Sequence, residues 1–253
     1  VDDAGTMMKP NYDNYCFSEN KLADCMFNSD MVLYCMKSLI LHGVKPKEIV
    51  DPNIRTDFNK LAYLVRLDHG LGENFSVIKE IAEQGEIVTE IVTHFSALEM
   101  TDVGNFKSLL FYFGLLSIKG VDMMGRPILH IPNLVVREQL FNFLIQGYAR
   151  HDIFKLDVNR LRTLFENMSF KGDWKPMFEF LAEAIREQSR IREYIEGEAH
   201  IKGFLLAYLG LTRAFIIYPE HESNKGYADF YMMPDLIHQP EIAYSYIVEV
   251  KYA

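Results

Sequence analysis

Between residues 198 and 253 the spacing of apolar residues changes from helical to extended, and this switch constrains the fold more than any other feature. Glu198 to Leu211 places Ile201, Phe204, Leu205, Tyr208 and Leu209 at intervals of three and four, with Gly210 near its end. Arg213 to Pro219 is β-branched and aromatic, His221 to Gly226 supplies turn residues, and Tyr227 to Met233 is a second extended run. Pro234 to Pro240 reads as a loop and Ile242 to Tyr252 as a third strand. The predicted order is helix, strand, strand, strand.

Three polar residues stand out in these runs: Asp229 after a short Gly226-Tyr227-Ala228 turn, then Glu249 and Lys251 within an otherwise apolar stretch. Residues two apart on a strand point to one face, and a neighbouring strand can bring Asp229 within reach of both. Two carboxylates, the Val250 carbonyl and water form an oxygen-rich set suited to Mg²⁺ or Mn²⁺. Such a cation would polarise a phosphodiester and lower the pKa of a bound water, with the lysine positioning that water. A partly exposed edge strand on which Glu249 and Lys251 form only an ion pair is the competing explanation of the same pattern.

Upstream the chain reads as mostly helical. Residues 1 to 30 are turn-rich and aromatic with no clear period, and predict irregular structure or a short strand. A helix capped by Asp30 carries Val32, Leu33, Met36, Leu39 and Ile40 and ends near Gly43. Further helices are predicted over Asp57 to Leu67 and Phe75 to Gly85, and Ile87 to Phe95 reads as a strand or extended segment. A helix through Phe106 to Leu116, a loop from Lys119 to Pro127, a strand over Ile128 to Pro132 and a helix capped by Asn133 follow the order of a winged helix. Few basic residues lie there (Lys107, Lys119, Arg126, Arg137), so a structural or oligomerising wing is the simpler expectation than a DNA-reading one. Two more amphipathic helices are expected, one starting at Asp157 and one over Met177 to Glu196, separated by Gly172 to Pro176.

Composition removes several function classes. With 49% apolar residues among 253 the chain can bury a core, and a net charge of -9 argues against a general nucleic-acid coating protein. No apolar run approaches the roughly 20 residues that span a bilayer and no signal peptide opens the chain, so a cytoplasmic location without membrane contact is expected. Cys16, Cys25 and Cys35 form no C-x-x-C pair and read as reduced thiols rather than a zinc site or disulfide framework. No G-x-x-x-x-G-K-[ST] is present, hence no ATPase activity is expected of this chain. No G-x-S-x-G elbow is present either, and Gly70-Leu71-Gly72 is a plain turn.

Residues 198 to 253 resemble the PD-(D/E)XK nuclease superfamily, and within it the branch at the C-terminus of bacterial AAA-ATPase-like proteins. The resemblance rests on Glu198-Ala199-His200-Ile201-Lys202-Gly203-Phe204-Leu205-Leu206, on Asn224 to Phe230 and on Tyr246 to Ala253. Tyr12 to Ser18, Asp51 to Phe58, Ser108 to Leu116 and Ile131 to Arg137 look like the end of the ATPase-like region and its winged-helix-like lid. The resemblance implies that Asp229 and Glu249 bind the metal, that Lys251 is the catalytic lysine, and that Glu198 is an auxiliary acid near the metal. It gives His200 a structural or substrate-proximal place. The superfamily core continues past the lysine strand into a helix and a further strand. A chain that starts at Val1 and ends at Ala253 reads as a fragment with that core cut short.

The expectation is therefore an α+β protein. Residues 1–150 would form a helical ATPase-like tail with a winged-helix-like part, 151–196 a helical connector, and 197–253 a truncated nuclease-like αβββ module. Its expected function is metal-dependent hydrolysis of phosphodiester bonds, in DNA first and in RNA as the alternative. A homo-oligomer or partner chain is compatible with this plan. The alternative is a non-catalytic nucleic-acid or protein interaction module of an ATPase-linked protein.

Overall fold

The structure is a computed structural model that describes residues 2–44, 46, 50–51, 73–150, 156–187, 198–212, 214–223, 226–236 and 239–251. The helix expected over Asp57 to Leu67 lies outside the described residues. Within them the protein is α+β, mostly helical with two small antiparallel sheets of three strands each. The chain divides into two compact units, one built from 1–81 and 85–140, the other from 82–84 and 141–253.

The first unit begins with α1 (Asp2–Tyr12), which differs from the irregular segment expected there. Its apolar residues are few and Pro10 lies inside it, so no helical stripe marks it in the sequence; Tyr12 is nevertheless buried with Met31, Cys35, Val50 and Val135. Next comes α2 (Ser29–His42). Its cap is Asn28 rather than Asp30: the Asn28 side chain accepts the Met31 N–H at 3.1 Å, satisfying one of the amides a helix start leaves unpaired. Gly43 ends the helix at φ 69°, the left-handed conformation that favours glycine.

After α3 (Glu73–Gln84), strand β1 (Glu86–Val88) occupies the start of the run read as extended. The helix, hairpin and helix expected next are present as α4 (Val103–Tyr112), β2 (Ser117–Val121), β3 (Pro127–His130) and α5 (Leu134–Arg150). Asn133 caps α5 as predicted, its Oδ1 accepting the Val136 amide at 3.2 Å. Strand β3 is central, with β1 and β2 antiparallel on either side of it. Phe106, Leu110, Leu116, Ile118 and Leu129 are buried where this helix and sheet meet their neighbours.

The second unit contains α6 (Val158–Lys171), α7 (Lys175–Glu187), α8 (Glu198–Leu209), β4 (Phe215–Ser223), β5 (Gly226–Pro234) and β6 (Tyr246–Val248). Asp157 caps α6 as its position predicts, accepting the amides of Asn159 and Arg160. The part of the Met177 to Glu196 helix beyond Glu187 lies outside the described residues.

Strand β5 is the centre of the second sheet, pairing with β4 from Phe215↔Pro234 to Ser223↔Gly226 and with β6 from Phe230↔Val248 to Met232↔Tyr246. Phe215, Ile217, Phe230 and Met232 alternate onto a buried face, as a period of two requires. Two contacts seat β6: the Tyr246 hydroxyl donates to the Met168 carbonyl at 2.7 Å, and the Tyr246 ring meets Phe215 edge-on. At the end of α8, Gly210 lies so close to Phe141 of α5 that a Cβ would stand 1.9 Å from Phe141 Cδ2.

Candidate metal centre

The last strand is shorter than its sequence suggests, and the reason lies in the site. The β5–β6 ladder stops at the Phe230↔Val248 pair. Beyond it the Val250 amide donates to a side chain instead of a main-chain carbonyl: its acceptor is Asp229 Oδ2, at 2.6 Å. Of the extended run read from Ile242 to Tyr252, the described residues form a strand only over Tyr246–Val248. Residues 249 to 251 follow outside the strand, the Val250 amide held by the carboxylate of the neighbouring strand.

Asp229 is the best-defined member of the cluster. Its Oδ1 accepts from Lys202 Nζ at 2.5 Å, and the two side chains are 15% and 26% exposed, so this ion pair is screened by protein on most sides. Burial pushes the Asp229 carboxyl pKa up, but the Lys202 ammonium, the Val250 amide and the charge of Lys251 together outweigh it and hold the group below its usual value of 3.8. Both oxygens of an ionised carboxylate are therefore engaged by donors. At Oδ1 the donor is itself a cation.

Glu249 and Lys251 sit at the rim. Lys251 Nζ lies 2.6 Å from Glu249 Oε1, with exposures of 77% and 62%, which is the mutual ion pair that the two-residue spacing allowed. In water such a pair contributes at most about 1 kcal/mol, so its value here is positional. The bond from the intervening Val250 amide holds the backbone between them against the half-buried Asp229 carboxylate.

Glu198 opens α8, one helical turn before Lys202. The side chains of Glu198 and His200 lie outside the described residues. Lys202 was not singled out from the sequence, although a signal existed: residues four apart on a helix share a face, so a Glu198 turned toward the metal brings Lys202 with it.

Among the described residues no three His, Cys, Asp or Glu side chains stand together as a metal cage. The candidate donors are the carboxylates of Asp229 and Glu249. One or two carboxylates with water completing the shell is the ligand set Mg²⁺ ordinarily uses, so the chemistry of these donors suits a hard divalent cation, which would displace Lys202 Nζ or the Val250 amide from Asp229.

No curated protein and no solved structure matches this chain. One family does, and its match covers the helix, the three strands and the cluster just described while leaving the upstream residues untouched. Residues 196–253 match the PD-(D/E)XK nuclease superfamily.

Proposed function

We propose that the C-terminal domain hydrolyses phosphodiester bonds of nucleic acid, DNA in preference to RNA. In this reading Asp229 and Glu249 hold Mg²⁺ or Mn²⁺, and Lys251 positions the attacking water. The observation that carries it is the 2.6 Å bond from the Val250 amide to Asp229, which fixes Glu249 and Lys251 beside a carboxylate that stays ionised. When bound, the cation supplies Lewis-acid polarisation of a phosphoryl oxygen and a more acidic water.

The chain's own residues do the rest. Asp229, held ionised, stays an acceptor at neutral pH. The exposed Lys251 ammonium can turn from Glu249 to a water or a phosphate oxygen at little cost, because a rim pair is weakly held. Lys202 keeps the site neutral when no cation is present and becomes available to phosphate when one is. Glu198, at the start of α8, is the auxiliary acid of this scheme.

Full-length protein is expected to cut DNA only with Mg²⁺ or Mn²⁺ added, and Lys251→Ala to lower the rate at least about a hundredfold, the scale of a lost transition-state contact. Cleavage that survives that substitution unchanged, or proceeds in chelator, would refute the assignment.

A second reading has its own support. Asp229 with Lys202 and Glu249 with Lys251 form a charge-balanced set that stands without metal. That suits a non-catalytic module of an ATPase-linked protein that binds nucleic acid or another chain. Absence of metal binding at Asp229 would favour it.

A further inference from the structure

The hairpin that leads into α2 sets two cysteines opposite each other. Tyr15 and Met26 form an antiparallel bridge and exchange both main-chain hydrogen bonds, Tyr15 N–H to Met26 C=O at 3.0 Å and Met26 N–H to Tyr15 C=O at 2.9 Å. In an antiparallel pair the next residues inward form the non-hydrogen-bonded pair. Here these are Cys16 and Cys25. The backbone of Cys16 confirms the alternation: its N–H donates to Ser117 Oγ at 2.7 Å and its carbonyl accepts from the Ile118 amide at 3.0 Å, so both groups face β2 and not Cys25.

Non-hydrogen-bonded partners have Cα atoms about 4.5 Å apart, within the range of about 4.4–6.8 Å that a disulfide spans. The thiols also share one environment. Cys16 Sγ donates to the carbonyls of Ser18 at 3.3 Å and Lys21 at 3.5 Å, Cys25 Sγ donates to that of Leu22 at 3.4 Å, and Cys16 is a hydrogen-bond partner of the Cys25 side chain. Cys35 stands apart in a different cluster, against Tyr12.

We propose that Cys16 and Cys25 form a reversible intramolecular disulfide, a redox modification site in the N-terminal unit that is independent of the nuclease reading. Cys25, the more exposed of the two, is the entry point, while Cys16 is 2% exposed and acts second. The oxidant is a small-molecule disulfide of the glutathione class. The Cys25 thiolate attacks one of its sulfurs, forming a mixed disulfide and releasing one small thiol. Cys16 then loses its proton to solvent and attacks the Cys25 sulfur, releasing the second small thiol. Two protein thiols are oxidised and one small disulfide is reduced to two thiols.

Burial raises the Cys25 thiol pKa, with the Cys16 contact and the charges of Asp13 and Asp24 acting the same way, so the reaction quickens as pH rises. Because Cys16 is bonded through its main chain to β2, the bridge would fasten the Leu22 to Cys25 turn to the three-stranded sheet.

The test is thiol titration of the reduced full chain, before and after equilibration with oxidised glutathione. We expect the three free thiols to fall to one, the intact monomer to lose the mass of two hydrogens, and trypsin, which cuts after Lys21 and next after Lys37, to release the Cys16 peptide joined to the peptide that carries both Cys25 and Cys35, with fragment ions placing the bond at Cys25. Cys35→Ala should leave the reaction intact and remove Cys35 as a partner. Cys25→Ser, at the more exposed position, should leave Cys16 and Cys35 reduced. Three thiols remaining after oxidation, a bridge that includes Cys35, or a bridge between chains would each overturn the proposal.

Discussion

At the residue scale, the Asp229–Lys202 contact organises the candidate centre, and removing either partner leaves a mostly enclosed charge with less compensation. Lys202→Ala is expected to lower metal-free stability by about 1–2 kcal/mol, between the values of exposed and buried pairs. Urea unfolding measures this, and the loss should shrink in an Asp229→Asn background because the two residues share one interaction. Equal losses in both backgrounds would show that the pair is not coupled. A second residue-scale expectation concerns pH. Burial, the Lys119 charge and the Arg137 charge depress the His130 pKa below its ordinary 6.5, against a smaller opposing effect of Glu86. The unfolded chain then binds the proton more readily than the folded one, so stability is full above pH 6.5 and declines as pH falls through the folded pKa. His130→Gln should flatten that decline in thermal melts taken from pH 7 to pH 5.

At the scale of elements, legibility follows periodicity. The helix over Glu198–Leu209 and the two long strands after it were visible because Ile201, Phe204, Leu205, Tyr208 and Leu209 and then Phe215, Ile217, Phe230 and Met232 keep the periods of the elements they belong to. The short reach of β6 was not visible, since Glu249-Val250-Lys251 continues the β-rich composition and only a side-chain acceptor on the neighbouring strand ends the ladder. The helix Asp2–Tyr12 escaped for the opposite reason, having a proline and no apolar stripe. The Cys16–Cys25 juxtaposition depends on hairpin register, which a spacing of nine residues does not disclose. Packing between helices is likewise tertiary information: Gly210→Ala would drive a methyl group into Phe141. Overpacking of this kind costs about 1–3 kcal/mol. A melting temperature lowered by several degrees is expected, and an unchanged one would show that Phe141 moves aside freely.

At the scale of the molecule, an α+β chain of two compact units has its family match in residues 196–253. Among the described residues no helix is long and apolar enough to cross a membrane. We propose that residues 1–150 are an ATPase-like tail and lid, that 151–196 connect them to the C-terminal module, and that Glu198 is its auxiliary acid. Of the sequence-predicted site, the structure brings Asp229 together with the Glu249-Val250-Lys251 segment and adds Lys202 to it. We propose that this cluster is a cation site. Calorimetric titration of Mn²⁺ into the full chain tests it most directly: saturable binding that Asp229→Asn abolishes is the predicted result, and no binding, or binding that survives that substitution, would contradict it.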